Sequence, residues 1–453
     1  MRLARVLPPL VAKEVRALLP IWLGCLLIIA VCATAGDALF RNLGRPFGVL
    51  TYLAGSIVLG ALAIGQEYQH RTLPMLLSQP VSRGRILGVK FVVLAAMLLT
   101  LAAAAWRGVF YTSGETGAVV LLAIFFGLFV APWLTMWCRN PLGGSVFAVA
   151  LPGVVVLLVQ GLIAEMLSLA AFVRLMAGIS GVAAVLSWRM FMRLEAIEGR
   201  GQDLSLPMTR ADLAPGRRGR PLWRLARKEL GLQQLSFAVA GVATMGWLAM
   251  FLFGVVTSTS RQFEDPLGAV ASLDSGLLAL VIGSLASAEE RQLGVFEWQA
   301  LLPIASWKQW AVKVAVTLGL ALLLSVLLPA LLLAFTGGPI RIGQRYAGVM
   351  LVLTTASLYV SSLSSSGVRA LIVSLPISLF ALFITVTLLM RPGGIQLTPI
   401  STGFVGAVLG LGLYFALVNH RSAERGTRRI LLQVLCLTGC AVLSVVLVAV
   451  GIR

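Results

Sequence analysis

Charge is scarce in this chain. Asp, Glu, Lys and Arg make up 12% of its 453 residues, against about 25% in soluble domains. That is too little to cover a water-facing surface. The scarcity excludes a soluble enzyme, a disordered chain and a secreted disulfide scaffold. Histidine is scarcer still: His70 and His420 stand alone in polar connectors and suggest no catalytic pairing. Of the five cysteines, all but Cys138 lie in apolar runs. Cys436 and Cys440 share a helix face, but no His or carboxylate stands near enough in sequence to complete a metal site. The five read as small apolar residues. No Gly-x-x-x-x-Gly-Lys-Ser/Thr loop is present to cradle phosphates, so neither ATP hydrolysis nor another enzymatic activity is expected of the chain itself.

What is abundant is apolar. Hydrophobic residues make up 59%, and the mean hydropathy is +0.96. This composition belongs to an all-α, polytopic helical membrane protein. Runs near the ~20 residues that span a bilayer fall at about 18–36, 47–65, 86–106, 117–137, 142–162, 172–191, 236–257, 267–287, 310–336, 346–363, 369–390, 402–418 and 430–451. The first is preceded by Arg2, Arg5, Lys13 and Arg16 and has no small-residue cleavage site, so it reads as a retained anchor.

The net charge of +19 follows from the positive-inside rule and calls for no nucleic acid. With the N-terminus inside, alternating connectors divide Lys and Arg 27 to the inner side and 9 to the outer, as the rule requires. Outer connectors are too short for a folded domain. The one long polar stretch, 192–221, is inner, rich in Arg, Gly, Pro and Asp, and reads as a flexible linker. The expected organisation is a first six-span half over 1–191, the linker, a second half over 222–418, and a basic connector with an appended helix over 419–453.

An internal repeat supports that division. Lys13-Glu14 precedes the first span, and Lys228-Glu229 precedes the first span of the second half. After the second span of each half the match is closer. Glu67 and Pro80 are 13 residues apart, as are Glu290 and Pro303; Pro80 and Lys90 are 10 apart, as are Pro303 and Lys313. A basic residue, Arg85 or Lys308, stands five after each proline. Both copies lie on the inner side and run in one direction, which makes the halves parallel repeats. Glu67 and Glu290 end a span where a carboxylate can meet water. An amphipathic turn follows: Leu73, Met75, Leu76 and Leu77 in one copy, Val295, Phe296, Trp298, Leu301 and Leu302 in the other. Such a segment suits a groove on a soluble partner or the lipid surface.

These residues resemble the membrane subunits of type 2 ABC exporters, the ABC-2-type permeases. In that family a Glu, a turn of the Arg-Thr-Leu kind, Leu-Leu-x-x-Pro-x-Ser-Arg and a Lys follow one another in an inner loop. Here Glu67, Arg71-Thr72-Leu73, Leu76-Leu77-Ser78-Gln79-Pro80-Val81-Ser82-Arg83 and Lys90 match that order. The second half departs, with Gly294-Val295-Phe296 for the turn and Ala305-Ser306 for Ser-Arg. The resemblance implies that loops 67–90 and 290–313 dock on two copies of a nucleotide-binding ATPase, which would carry ATP and Mg. It implies interfacial helices over Met1–Leu19 and Leu222–Leu235, which place Lys13, Glu14, Lys228 and Glu229 beside the loops. It further implies short re-entrant helices near 162–172 and 391–402, and a cell membrane, of the bacterial inner type, as location. Two fused halves would let one chain form the whole pathway.

The competing reading is an ion-coupled secondary transporter, which parallel six-span halves also fit. Ion coupling calls for ionisable residues within the spans; Asp274 is the main one here, with Arg174, Glu165 and Arg107 near span ends. The cargo is not readable from the sequence.

Overall fold

The computed structural model describes residues 3–34, 38–70, 72–78, 80–110, 116–163, 169–194, 221–257, 264–295, 304–336, 344–389, 399–422 and 426–450. Among these no strand occurs, so the chain is all-α. Seven helices are long and apolar enough to cross a membrane: Leu10–Thr34, Gly48–Gln69, Arg83–Gly108, Gly117–Cys138, Ala170–Arg193, Ser306–Phe335 and Tyr346–Leu363. Four shorter apolar stretches accompany them, Pro141–Val155, Gln234–Ala249, Gly367–Ser378 and Val405–Arg421. The chain is a membrane protein, built as two compact units, Met1–Asp203 and Leu204–Arg453.

Unit 1 holds α1 (Leu3–Thr34), α2 (Ala38–Gln69), the short α3 (Leu73–Leu77), α4 (Arg83–Ala105), α5 (Thr116–Phe125), α6 (Ala131–Cys138), α7 (Pro141–Ile163) and α8 (Leu169–Arg193). A π-helical turn, Trp106–Phe110, follows α4, and another, Phe126–Val130, joins α5 to α6. The second turn has a packing reason. Gly127 lies within it, and α2 meets it at Gly60 so closely that a Cβ on Gly60 would overlap the Gly127 carbonyl. Glycine at both positions lets two backbones touch. Around this contact Ile57, Phe126, Val130, Leu134 and Met176 form a buried core.

Unit 2 holds α9 (Pro221–Leu232), α10 (Gln234–Thr257), α11 (Glu264–Gln292), α12 (Ser306–Leu322), α13 (Leu328–Thr336), α14 (Gln344–Leu363), α15 (Gly367–Leu389), α16 (Pro399–Arg421) and α17 (Thr427–Val450). A π-helical turn, Leu323–Leu327, joins α12 to α13. Here α11 and α14 make the close contact: a Cβ on Gly283 would overlap the Ser357 hydroxyl and crowd the Thr354 carbonyl. One turn further along α11, the Ser361 hydroxyl of α14 donates to the Ser284 carbonyl (2.7 Å) and accepts from the Ser287 and Ala288 amides (2.9 Å each). It sits on both ends of one rung of the α11 ladder.

The two units begin differently. In unit 2, α9 ends at Gln233, whose side chain donates to the Ile282 carbonyl (3.0 Å) and accepts from Ser236 (2.8 Å). That turn separates a surface helix from α10. In unit 1 the separate surface helix expected over Met1–Leu19 is absent: α1 runs unbroken from Leu3 to Thr34. Leu18, as far from Glu14 as Gln233 is from Glu229, is buried and apolar, and nothing polar turns the chain there. Residues 164–168 and 391–398 of the expected re-entrant segments lie outside the described residues.

Candidate functional site

Each unit carries a cluster of two glutamates and one lysine, all buried, with a second lysine at its edge. In unit 1, α1 supplies Lys13 and Glu14, the end of α2 supplies Glu67, and α4 supplies Lys90. Lys90 Nζ lies 2.7 Å from Glu14 Oε1 and 3.3 Å from Glu67 Oε1. It donates a third bond to the Ala63 carbonyl (2.9 Å), which uses all three ammonium hydrogens. Lys13 Nζ lies 2.8 Å from Glu67 Oε1. The Thr72 hydroxyl donates to the other Glu67 oxygen. Glu14, Glu67 and Lys90 are all under 5% exposed, whereas the Lys13 side chain is 49% exposed.

Unit 2 repeats the set. Lys313 Nζ of α12 lies 2.6 Å from Glu290 Oε2 and 3.1 Å from Glu229 Oε2, and donates to the Ala286 carbonyl (2.6 Å). Lys228 pairs with Glu290 and lies 3.3 Å from Glu229 Oε1. Burial pushes the Glu229 carboxyl up from its ordinary value; Lys313 opposes the shift and Glu290 adds to it. Trp310, one turn before Lys313 on α12, packs against His420, their rings 5.5 Å apart. No counterpart of that pair is present among the described residues of unit 1.

A buried charge is tolerated only when paired and hydrogen-bonded. Both clusters balance their charges with equal numbers of each sign, and every carboxylate lies beside a lysine. Each binds three helices: α1, the end of α2 and the start of α4 in unit 1, and α9, the end of α11 and the start of α12 in unit 2. The loop runs between the last two, so its ends are held together by Glu67–Lys90 in one unit and Glu290–Lys313 in the other. Among the described residues no group of three or more His, Cys, Asp or Glu could hold a metal ion.

The other loop residues lie as follows. Leu73 and Leu77 are half-buried on α3. Leu76 is buried against Ile64, Ile86, Leu87, Met136 and Phe191, so it belongs to the core of its own unit and offers nothing to a partner. The exposed apolar side chain of α3 is Met75, at 72%. Pro80 is exposed, and Arg83 donates to the Met192 carbonyl (2.7 Å). Glu67 and Glu290, expected to meet water, face lysines of their own chain instead, because burial at 3% and 0% demands an ionic partner. Arg71, Phe296, Trp298, Leu301, Leu302 and Pro303 lie outside the described residues. Asp274 is half-buried in α11.

Two further pairs complete the sites and carry a sequence signal. Gly60 and Gly283 each stand seven residues before the repeated Glu, and Ala63 and Ala286 each stand four before it. The first pair makes the backbone contacts and the second supplies the carbonyls that the lysines take. Comparison of the chain with family models, with characterised proteins and with solved structures finds no match.

Proposed function

We propose that the chain is the membrane-spanning subunit of an ATP-driven exporter of the ABC-2 type. On this reading the two units are parallel six-span repeats with α17 appended, the N-terminus faces the cytoplasm, and loops 67–90 and 290–313 dock on two copies of a separate nucleotide-binding subunit. The observation that carries it is the recurrence of the Lys-Glu-Glu-Lys cluster at the base of each loop. A device that passes motion from a surface loop to the spans needs the loop's two ends joined to each other and to the entry helix. The buried ion pairs supply that joint in both units, and in unit 1 Thr72 extends it to the first residue before α3. Met75, exposed on α3, is the apolar contact for a partner.

Native mass spectrometry of the tagged chain, purified in mild detergent from the membranes that produce it, tests the reading. One chain with two P-loop ATPase subunits is the expected assembly. A chain that retains no ATPase, and whose reconstituted vesicles transport on an ion gradient without ATP, overturns it in favour of a secondary transporter.

A further inference from the structure

A basic surface on unit 2 adjoins the ion cluster, where Arg291 of α11 donates to the Asn419 carbonyl (3.3 Å). Buried amides draw the ends of α14, α16 and α17 together. Asn419 and Gln433 bond reciprocally, with Nδ2 to Oε1 at 3.1 Å and Nε2 to Oδ1 at 3.0 Å. Asn419 also donates to the Ser362 hydroxyl (3.1 Å), and Tyr359 donates to Gln433 (3.3 Å). The start of α15 is tied to the end of α11, its Gly367 amide donating to Gln292 (3.3 Å). This arrangement brings Arg369, Arg421, Arg428 and Arg429 to one end of the bundle, all exposed. Arg369 bonds the Ser365 hydroxyl (3.3 Å). Among the described residues no carboxylate pairs with any of the four. Glu424, the one acid of the 419–429 connector, lies outside the described residues.

The face of α17 above the arginines decides what kind of anion fits. Arg428, Leu431, Leu432 and Leu435 follow at the i, i+3, i+4, i+7 spacing of one helix face. Gln433, which is buried, anchors the opposite face. The three leucines are 58%, 58% and 66% exposed. A cationic end therefore continues directly into an apolar stripe. A free anion has no use for the stripe, whereas a phospholipid needs both parts.

We propose that this end of unit 2 binds an anionic phospholipid. Its phosphate lies among Arg421, Arg428 and Arg429, with Arg369 at the neighbouring helix end, and its acyl chains run along Leu431, Leu432 and Leu435. Positive charge facing one side of a membrane is common and by itself selects no lipid. The specific feature is the arginine cluster at the junction of three helices with an apolar face in line with it.

The test is native mass spectrometry of the delipidated full chain, titrated with phosphatidylglycerol, cardiolipin or phosphatidylethanolamine. A triple variant, Arg421→Gln, Arg428→Gln and Arg429→Gln, is compared with Arg16→Gln, Arg189→Gln and Arg193→Gln, which remove equal charge from exposed positions of unit 1. Thermal unfolding confirms that both variants are folded. The expected result is loss of anionic-lipid affinity by about tenfold or more in the first triple, no comparable loss in the second, and weak binding of phosphatidylethanolamine throughout. Equal losses in both triples would mean diffuse attraction and overturn the site. Displacement of the lipid by millimolar inorganic phosphate would overturn the lipid assignment in favour of a free anion.

Discussion

The two ion clusters use the same residues and connect them differently. In unit 1 the contacts form an open chain, Lys13 to Glu67 to Lys90 to Glu14. In unit 2 they close into a ring, because Lys228 reaches Glu229 as well as Glu290 and Lys313 reaches both. The open chain has a free end at Lys13 and a terminal glutamate with one ionic partner. It gains an extra link at Thr72, where unit 2 has Val295 at the corresponding position. A ring tolerates the loss of one link; a chain does not. Unit 1 is thus tied more closely to its loop, and unit 2 is tied more closely within itself.

The largest expected effect breaks the chain at its middle. Lys90→Met strips Glu14 of its ion pair and should destabilise the protein by about 3–5 kcal/mol, the usual consequence of leaving a buried charge uncompensated. Lys313→Met should cost clearly less, since Lys228 still touches both glutamates. Thermal unfolding in detergent measures both, and Glu14→Gln added to Lys90→Met should recover most of the loss. Equal effects of the two lysine variants would contradict the distinction between chain and ring.

Next in size are the glycines. Gly60→Ala and Gly283→Ala should each destabilise by about 1–3 kcal/mol, the range for overpacking a tight contact. The obstacle differs. At Gly283 part of it is the Ser357 hydroxyl, so Ser357→Ala should restore some stability; at Gly60 it is the Gly127 backbone, which no side-chain change removes. The smallest effect sharpens the difference at the loops. Thr72→Val leaves a Glu67 oxygen without its hydroxyl donor and should cost about 1 kcal/mol, the net worth of one hydrogen bond. Val295→Thr should be nearly silent, within about 0.5 kcal/mol. Limited proteolysis of the 67–90 loop, faster in Thr72→Val than in the parent, is the local readout.

Much of the helical content was legible, because apolar runs of bilayer length leave the backbone few alternatives. The spacing of Glu67 and Lys90, matched by Glu290 and Lys313, marked four residues that take part in the two ion clusters. What spacing could not convey was direction. Lys90 sits on the first turns of a span, a position that reads as a positive-inside marker, yet its ammonium is folded back onto α1 and α2. Leu76 and Leu77 look equivalent in a pattern, but α3 is only five residues long and turns Leu76 inward while exposing Met75. The unbroken α1 was also hidden, since the distinction rests on a single site, Leu18 in one unit and Gln233 in the other. The basic residues of 419–429 were visible as a charge run; their convergence with Arg369 depends on Asn419 and Gln433, an amide pair that no periodicity announces.

The hydroxyl of Ser361 has a mechanical consequence. It holds three backbone groups of α11 at once, and it does so just beyond the point where Gly283, lacking a side chain, leaves room for Ser357 and the Thr354 carbonyl of α14. Helices packed through long side chains can slide by fractions of a residue as rotamers adjust. These two cannot: an axial shift of about 1.5 Å, one residue's rise, would break all three bonds together and drive Gly283 against a neighbouring backbone position. Relative displacement of α11 and α14 is therefore confined to discrete registers, and a force applied at Glu290 moves the pair as one body until it is large enough to release both contacts.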